Sequence, residues 1–494
     1  MRRTYSYVLL FFVACIAFFP HNMALRPDIM ECRNLVTARE IAQGECSWQV
    51  PTMNGELRLE KPPLPTWIAA MVEYVSPNNL GLQRVPPALA AMLWVLFLFL
   101  FVKRLADEKT ALVVSLVFLT CYQIVLMGRT ATWDVYCHAF MTGALYCLHK
   151  LLYPTADDRR PWLTSLFLGV MLGLSFLSKG PVSFFALLLP FVIALLVLGR
   201  ASLAENWGKL VLAVMVCVAI GSWWYVYLYM YHPMELTSVF HKETGAWTNH
   251  NVRPWWYYWR FWVEAGLWAP FVLVGLAFPY WKKRVANGNT YMFMLVFLVA
   301  QLVLLSMMPE KKYRYLLPMM VTMAMLAGFL LTHWMREGAK WPRRLLVGAV
   351  GTCVVVELLA LPIVGRVFNG EQTNTLTLLS HDERVNGLSF FHPADEDLRI
   401  ECVYNLRHRI GALDLSDDVS LRGQVPCVLL VQEERADSVI KTLPQDISAT
   451  RLGTFDDNHH HRKAKHYNPA MCHKAFVLSR ANEKLSQPAD EALR

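Results

Sequence analysis

The stretch "VPPALAAMLWVLFLFLFV", residues 85–102, runs eighteen residues without a charged side chain and is closed by Lys103 and Arg104. About 20 apolar residues at a helical rise cross the hydrocarbon of a bilayer, so this segment reads as a membrane span with its basic end among the headgroups. Ten further segments read the same way: 5–24, 110–126, 135–152, 163–178, 181–199, 209–228, 262–281, 290–308, 314–333 and 345–365. The composition agrees. Of 494 residues 55% are hydrophobic and 17% charged, and mean hydropathy is +0.31, whereas about a quarter of a globular sequence is charged. The expected fold is therefore an α-helical multispanning membrane protein of about eleven spans.

Basic residues orient it. With the N-terminus inside, six inner segments hold sixteen Lys and Arg and three short outer loops hold five, as the positive-inside tendency requires. The first span follows Arg2 and Arg3 as a signal peptide would, but "FFPHNMAL" supplies no small-residue cleavage site, so a retained helix is expected. Two large loops, 25–84 and 229–261, then face outward with the tail. A transmembrane domain is expected over 1–366 and a soluble domain over 367–494. In the tail "LRIECVYNL" (398–406), "VPCVLLVQ" (425–432) and "KAFVLSR" (474–480) read as strands, and "ERADSVIKTL" (434–443) as an amphipathic helix, a small α/β domain outside the membrane.

The net charge of +9 is scattered between apolar runs, which suits anionic lipid headgroups and not nucleic acid. There is no GxGxxG and no GxxxxGK[ST], and the "DD" at 157–158 and at 456–457 is not a DxD spacing, so no nucleotide cofactor is expected. Among the eleven cysteines, Cys32, Cys46, Cys402, Cys427 and Cys472 lie in polar segments where disulfides can form on an oxidising side. A His-rich run, "NHHHRKAKH", with Cys472 and His473 nearby, is a candidate metal binder whose ordinary role is a solvated loop.

Charge at the outer face carries the functional reading, because ionised groups beside hydrocarbon are expensive. Glu31, Arg33, Arg39 and Glu40 occupy "MECRNLVTAREIAQG", whose spacing puts Glu31, Leu35 and Ala38 on one side of a short helix lying on the surface. Glu60 and Lys61 precede Pro62 and Pro63 in "LEKPPLPTW"; Asp134 ends "GRTATWD"; Lys179 sits in "SKGP". His241, Glu243, His250 and Arg253 lie in "FHKETGAWTNHNVRPWWYY", and Lys311, Lys312 and Arg314 in "PEKKYRYLLP". Singly each has a plain role: Asp134 as a helix N-cap, Lys179 as an interfacial anchor, the histidines as loop residues. Together, cations on the outer face run against the positive-inside tendency and imply an anionic ligand there. Lysine and arginine suit a lipid-linked phosphate, and a nearby carboxylate can serve as general base for attack by an acceptor hydroxyl on a sugar. Glu60 with His241 offers a carboxylate–imidazole pair of the kind that holds zinc.

Those residues carry a resemblance. "AREIAQG", "WQVPTMNGELRLEKPPLPTW", "TATWD", "FLSKGP", "FHKETGAW…NHNVRPWWYY" and "KYRYLLP", in that order over residues 25 to about 320, are similar to the protein O-mannosyltransferase-type membrane glycosyltransferases, and most to the bacterial lipid A aminoarabinose transferase branch. The resemblance implies a C-type glycosyltransferase architecture in the bacterial inner membrane, with the active site facing the periplasm. It implies a polyprenyl-phosphate sugar as donor and lipid A, another glycan or a protein as acceptor. Carried over by motif, Lys61 and Lys179 bind the donor phosphate, with Arg33, Lys311 and Arg314 as further phosphate-binding candidates. Glu60 and His241 match the family's metal pair, for zinc, magnesium or manganese. Asp134 matches the family's second important aspartate, near the acceptor or catalytic centre, and is with Glu31 an expected catalytic residue. The family's Asp-Glu pair ahead of "ARxM" is here Met30-Glu31, which leaves Glu31 as the expected catalytic base. The rival reading is a transporter or flippase of a lipid-linked sugar, which charges inside spans and repeated halves would support.

Overall fold

The computed structural model describes residues 2–198, 204–249, 251–285, 287–368, 374–458 and 462–481. His250 and His459 to His461 of the sequence reading lie outside them. The chain divides into two compact units: Met1–Met23, Ser47–Pro51 and Arg58–Ile363 form the first, and Ala24–Cys46, Thr52–Leu57 and Val364–Arg494 the second.

The first unit is helical. Four of its helices are long and apolar enough to cross a membrane, Leu80–Leu105, Pro161–Lys179, Gly288–Met307 and Trp341–Gly365, or up to seven if each of three bent pairs is one span. Glu108–Leu119 with Tyr122–Gly128 bends by 72°, Trp207–Gly221 with Trp223–Tyr231 by 46°, and Trp255–Gly275 with Phe278–Arg284 by 83°. The other expected spans fall on helices that are shorter, such as Phe184–Val197, or more polar, such as Trp133–Leu152 with its Asp134, His138 and His149. Between lipid-embedded helices small residues permit close contact, because apolar side chains gain little by leaving lipid. Gly169 and Gly173 on the helix Pro161–Lys179 do this: an added Cβ would stand 2.6 Å from the Ala213 carbonyl oxygen and 2.7 Å from Ile220 on Trp207–Gly221.

The second unit is built on a five-stranded sheet ordered Ile410–Leu413, Ser389–Pro393, Cys427–Gln432, Cys472–Arg480, Ile447–Asp456. The first three strands pair in parallel and the last two antiparallel. Side chains alternate across a strand, and here both sets are apolar. Val428 and Leu430 join one core with Phe390, Val403 and Val36; Cys427, Leu429 and Val431 join another with Leu421, Val439 and Leu478. The strand Cys427–Gln432 is therefore buried on both faces, as parallel sheets require. The backbone of the edge strand Ile410–Leu413 is met by Asn54, in the turn between the short antiparallel strands Thr52–Met53 and Glu56–Leu57; it donates to the Ile410 carbonyl and accepts from its N–H, both at 2.8 Å.

Two expectations are corrected here. "LRIECVYNL" forms the helix Ile400–Leu406 and not a strand: its buried residues Cys402, Val403 and Leu406 fall on one helical face, and that packing outweighs the strand preference of Ile, Val and Tyr. The helix Ile29–Ala42 is not a surface helix. Glu31, Cys32 and residues 34–41 are all buried, because it packs within the second unit on Ile400–Leu406. Arg39 there donates to the Tyr404 carbonyl at 3.0 Å, and Glu40 accepts from Gly55 N–H at 3.2 Å and from Arg409 at 3.2 Å. All eleven thiols are free.

A buried acid in this unit makes stability depend on pH. Asp457 is 1% exposed. Burial pushes its carboxyl up to about 7, although it accepts from Asn405 and from the Leu376 N–H. The folded chain then holds a proton between about pH 4 and pH 7 that the unfolded chain has released, so this residue's contribution falls as pH rises through that window. His473, lowered to about 4 by burial, acts in the opposite sense between about pH 6.5 and pH 4. Asp457→Asn is expected to stabilise the unit at pH 8 by about 2–4 kcal/mol and to leave it unchanged at pH 4. Amide hydrogen exchange along Cys472–Arg480 in the full chain reads this, and equal protection in both proteins at pH 8 would rule it out.

Candidate functional site

The "EKPP" corner lies in the first unit. Arg58 N–H donates to the Pro51 carbonyl at 2.9 Å, and Leu59 anchors the segment in a cluster with Leu177, Trp224, Leu228 and Leu236. Proline restricts φ and biases the residue before it away from helix; Pro63, at φ −86°, is the N-cap, and helix begins at Leu64–Val75. Glu60 and Lys61 are thus presented from a stiff corner to the helix Pro233–Asn249. That helix answers with the inverse pair. Lys61 Nζ stands 3.4 Å from Glu243 Oε2, and Lys242 Nζ 3.2 Å from Glu60 Oε1.

Lys179 is the last residue of its helix, ended by Gly180 at φ +68°, a conformation that favours glycine. Its ammonium pairs with Asp134, which lies in the first turn of Trp133–Leu152 where the helix dipole favours an anion. The pair is deeply buried, with side chains 8% and 3% exposed. Behind it, one turn along, His138 Nδ1 meets Ser183 Oγ at 2.7 Å, and Ser175 donates to the Cys137 carbonyl at 2.8 Å. Arg314 lies close enough for its charge to act on Asp134.

Charge ties the corner and the buried pair into one cluster. Burial pulls Lys61 below the ordinary lysine value; Glu243 opposes this, and the charges of Lys179 and Arg58 add to it. Burial alone would raise Glu60, but Arg58, a backbone N–H and Lys242 outweigh it and hold the carboxyl below its usual range. Arg58 also covers the Trp133 ring at 5.4 Å. Five cations (Arg58, Lys61, Lys179, Lys242 and Arg314) meet three carboxylates (Glu60, Asp134 and Glu243).

The structure thus brings together Glu60, Lys61, Asp134, Lys179 and Arg314. Lys311 is occupied otherwise: its buried ammonium donates to the carbonyls of Arg253, at 3.2 Å, and Met308, stapling the loop. Glu31 and Arg33 belong to the second unit. There Glu31 is buried, its N–H donating to Asp28 at 2.8 Å, and Arg33 is half-buried beside Met30. Arg58 and Lys242 gained no role in the sequence reading, nor did His138. Their signals were available: Arg58 two residues before Glu60, "KE" as the inverse of "EK", and a histidine four residues after Asp134 on the same helical face.

The expected metal pair fits in part. Glu60 Oε2 is buried without a hydrogen-bond partner, which suits a cation. His241, however, is exposed, and Lys242 takes the other oxygen. Among the described residues no group of three or more His, Cys, Asp or Glu side chains gathers as metal ligands would.

Residues 60–225 match the dolichyl-phosphate-mannose-protein mannosyltransferase family, a span that contains the "EKPP" corner, "TATWD" and "SKGP". The family resemblance read from the sequence stands. The chain is 27% identical over 382 residues to the undecaprenyl phosphate-alpha-4-amino-4-deoxy-L-arabinose arabinosyl transferase of Edwardsiella ictaluri, covering 72% of this chain and 65% of that one. It is 28% identical over 300 residues to the transferase of the same name from Pseudomonas aeruginosa, covering 59% and 53%. The match spans less than two thirds of these relatives' length. In fold the chain resembles the ArnT crystal structure from Cupriavidus metallidurans bound to undecaprenyl phosphate, with a TM-score of 0.72 at 16% identity over 96% of this chain and 98% of that one. The oligosaccharyltransferase of Archaeoglobus fulgidus in complex with Zn and sulfate follows at 0.51 and 11%, over 91% and 72%. The architecture is that of these multi-pass membrane proteins.

Proposed function

We propose that this chain is an integral membrane glycosyltransferase that moves a sugar from a polyprenyl-phosphate donor to a periplasmic acceptor such as lipid A, another glycan or a protein. The observation that supports it is the gathering of Lys61, Lys179, Arg58 and Arg314 around one corner. A lipid-linked phosphate suits such a cluster of cations, and charge-assisted hydrogen bonds hold it as leaving group. The anomeric carbon–phosphate oxygen bond breaks, the acceptor oxygen bonds to that carbon, and the departing phosphate keeps the electron pair beside the lysines. A base takes the acceptor's proton. Glu31 is proposed for that role on its motif, and Asp134 holds Lys179 in place near the reacting centre. A divalent ion is kept in the proposal only as an anchor on Glu60 and His241, and no step passes through it. Metal analysis of the wild type against Glu60→Gln tests that part; equal content removes it. The eleven spans, the inner-membrane location and a periplasmic α/β domain complete the proposal.

The deciding experiment is mass spectrometry of lipid A and periplasmic glycans from a deletion strain complemented with wild type or Lys61→Ala. A sugar lost in the deletion, restored by wild type and not by Lys61→Ala, supports transfer and names the acceptor; unchanged glycans in all strains overturn it. Glu31→Gln is expected to lower kcat by about 10²- to 10⁴-fold with donor binding retained, and a variant of wild-type kcat would remove Glu31 as base.

The transporter reading has one observation in its favour. Glu357 lies inside the span Trp341–Gly365 and pairs with Arg129 at 2.5 Å. Arg129 also donates to the carbonyls of Ala17, at 2.8 Å, and Pro20, at 2.6 Å. That makes the pair a brace between chain segments, not a mobile carrier site.

A further inference from the structure

We propose that Glu243 is an exchangeable counter-ion that occupies the place of the donor phosphate on Lys61 and is displaced when the phosphate binds. The inference rests on the phosphate reading above and goes further by giving Glu243 a part in it. Four observations carry it. Glu243 is the carboxylate on Lys61, at 3.4 Å, in a pair whose side chains are 26% and 29% exposed; such a pair is held loosely enough to open. By contrast, the Lys179–Asp134 pair is almost fully enclosed. Lys61 is also crowded by Lys179 and Arg58, both of which act on it electrostatically, so it needs an anion in the absence of ligand. Finally, Glu243 has a neighbour, Lys242, that pairs with Glu60 beside Lys61. The helix Pro233–Asn249 also stays attached to the corner through Leu236, which packs in one cluster with Leu59, while the Lys61–Glu243 pair exchanges.

A structural pair and a placeholder predict opposite signs. Removing a structural pair loosens the corner and weakens binding. Removing a placeholder frees Lys61 and tightens it. A partly exposed ion pair costs on the order of 1 kcal/mol to open, so Glu243→Gln is expected to bind undecaprenyl phosphate about three- to fivefold more tightly than wild type. Glu243→Asp, which keeps the charge, should return affinity towards wild type. Undecaprenol, which lacks the phosphate, should bind all three proteins equally. The measurement is equilibrium binding of each lipid to the full-length detergent-solubilised proteins, with thermal unfolding to show that the variants are folded. Equal or weaker binding of undecaprenyl phosphate by folded Glu243→Gln overturns the placeholder while leaving the phosphate reading intact. Wild type that binds the phosphate lipid no better than undecaprenol overturns both. Tighter binding of both lipids by Glu243→Gln also overturns it, because the gain is then not phosphate exchange.

Discussion

Lys179→Met is expected to abolish transfer and to lower stability by about 3–5 kcal/mol, because it leaves the Asp134 carboxylate buried without its partner. Asp134→Asn should cost a similar amount by stranding Lys179. The double variant Asp134→Asn/Lys179→Met removes both charges and should recover most of the stability, since a buried ion pair replaced as a unit is often close to neutral. It should recover none of the activity if Lys179 holds phosphate. Thermal unfolding of the three proteins in one detergent, set beside a transfer assay, separates the two roles. A single variant as stable as wild type would show that the pair is not load-carrying in the fold; an active double variant would remove Lys179 from the donor site.

Lys61→Ala is expected to raise the KM for the polyprenyl-phosphate donor about 10- to 100-fold, because a hydrogen bond to a charged group contributes about 1.5–3 kcal/mol. Here stability should change by less than about 1 kcal/mol, since the Lys61–Glu243 pair is partly exposed. Lys61→Arg keeps the charge and should restore part of the affinity, although its planar fork does not reproduce the compact ammonium. Steady-state kinetics over donor concentration distinguishes the outcomes. A fall in kcat with KM unchanged would place Lys61 in the chemical step and not in donor binding.

These two lysines also show how much of the site was legible in advance. "EKPP" and "SKGP" stand apart by 118 positions, and each was readable because an uncommon residue order marks it: a charged pair before two prolines, and a lysine before a glycine that must turn. Their convergence was not readable. It follows from the way Leu59 packs with Leu177 and Trp224, which draws the corner to the end of the helix bearing Lys179. Lys311 shows the converse. A basic cluster in an outer loop looks the same whether its ammonium faces a phosphate or two backbone carbonyls, and only its carbonyl partners show that it staples the loop.

The second unit was harder to read. "LRIECVYNL" alternates well enough to pass for a strand and spaces its buried residues well enough to make a helix; a short apolar run carries both periods, and the neighbour it packs on decides. The helix Ile29–Ala42 was found from its own pattern, yet its burial was not, because the residues that cover it come from more than 350 positions further along.

By itself, then, the sequence determined what local chemistry dictates. Uncharged runs near 20 residues imply lipid-facing helices, prolines and glycines end or begin them, and the Lys and Arg counts give an expected orientation. Tertiary structure decided which charges meet. An ion pair depends on a few ångströms between groups far apart in the chain, and nothing local encodes that distance; the packing of Leu59 and the seat of helix Pro233–Asn249 on the corner do.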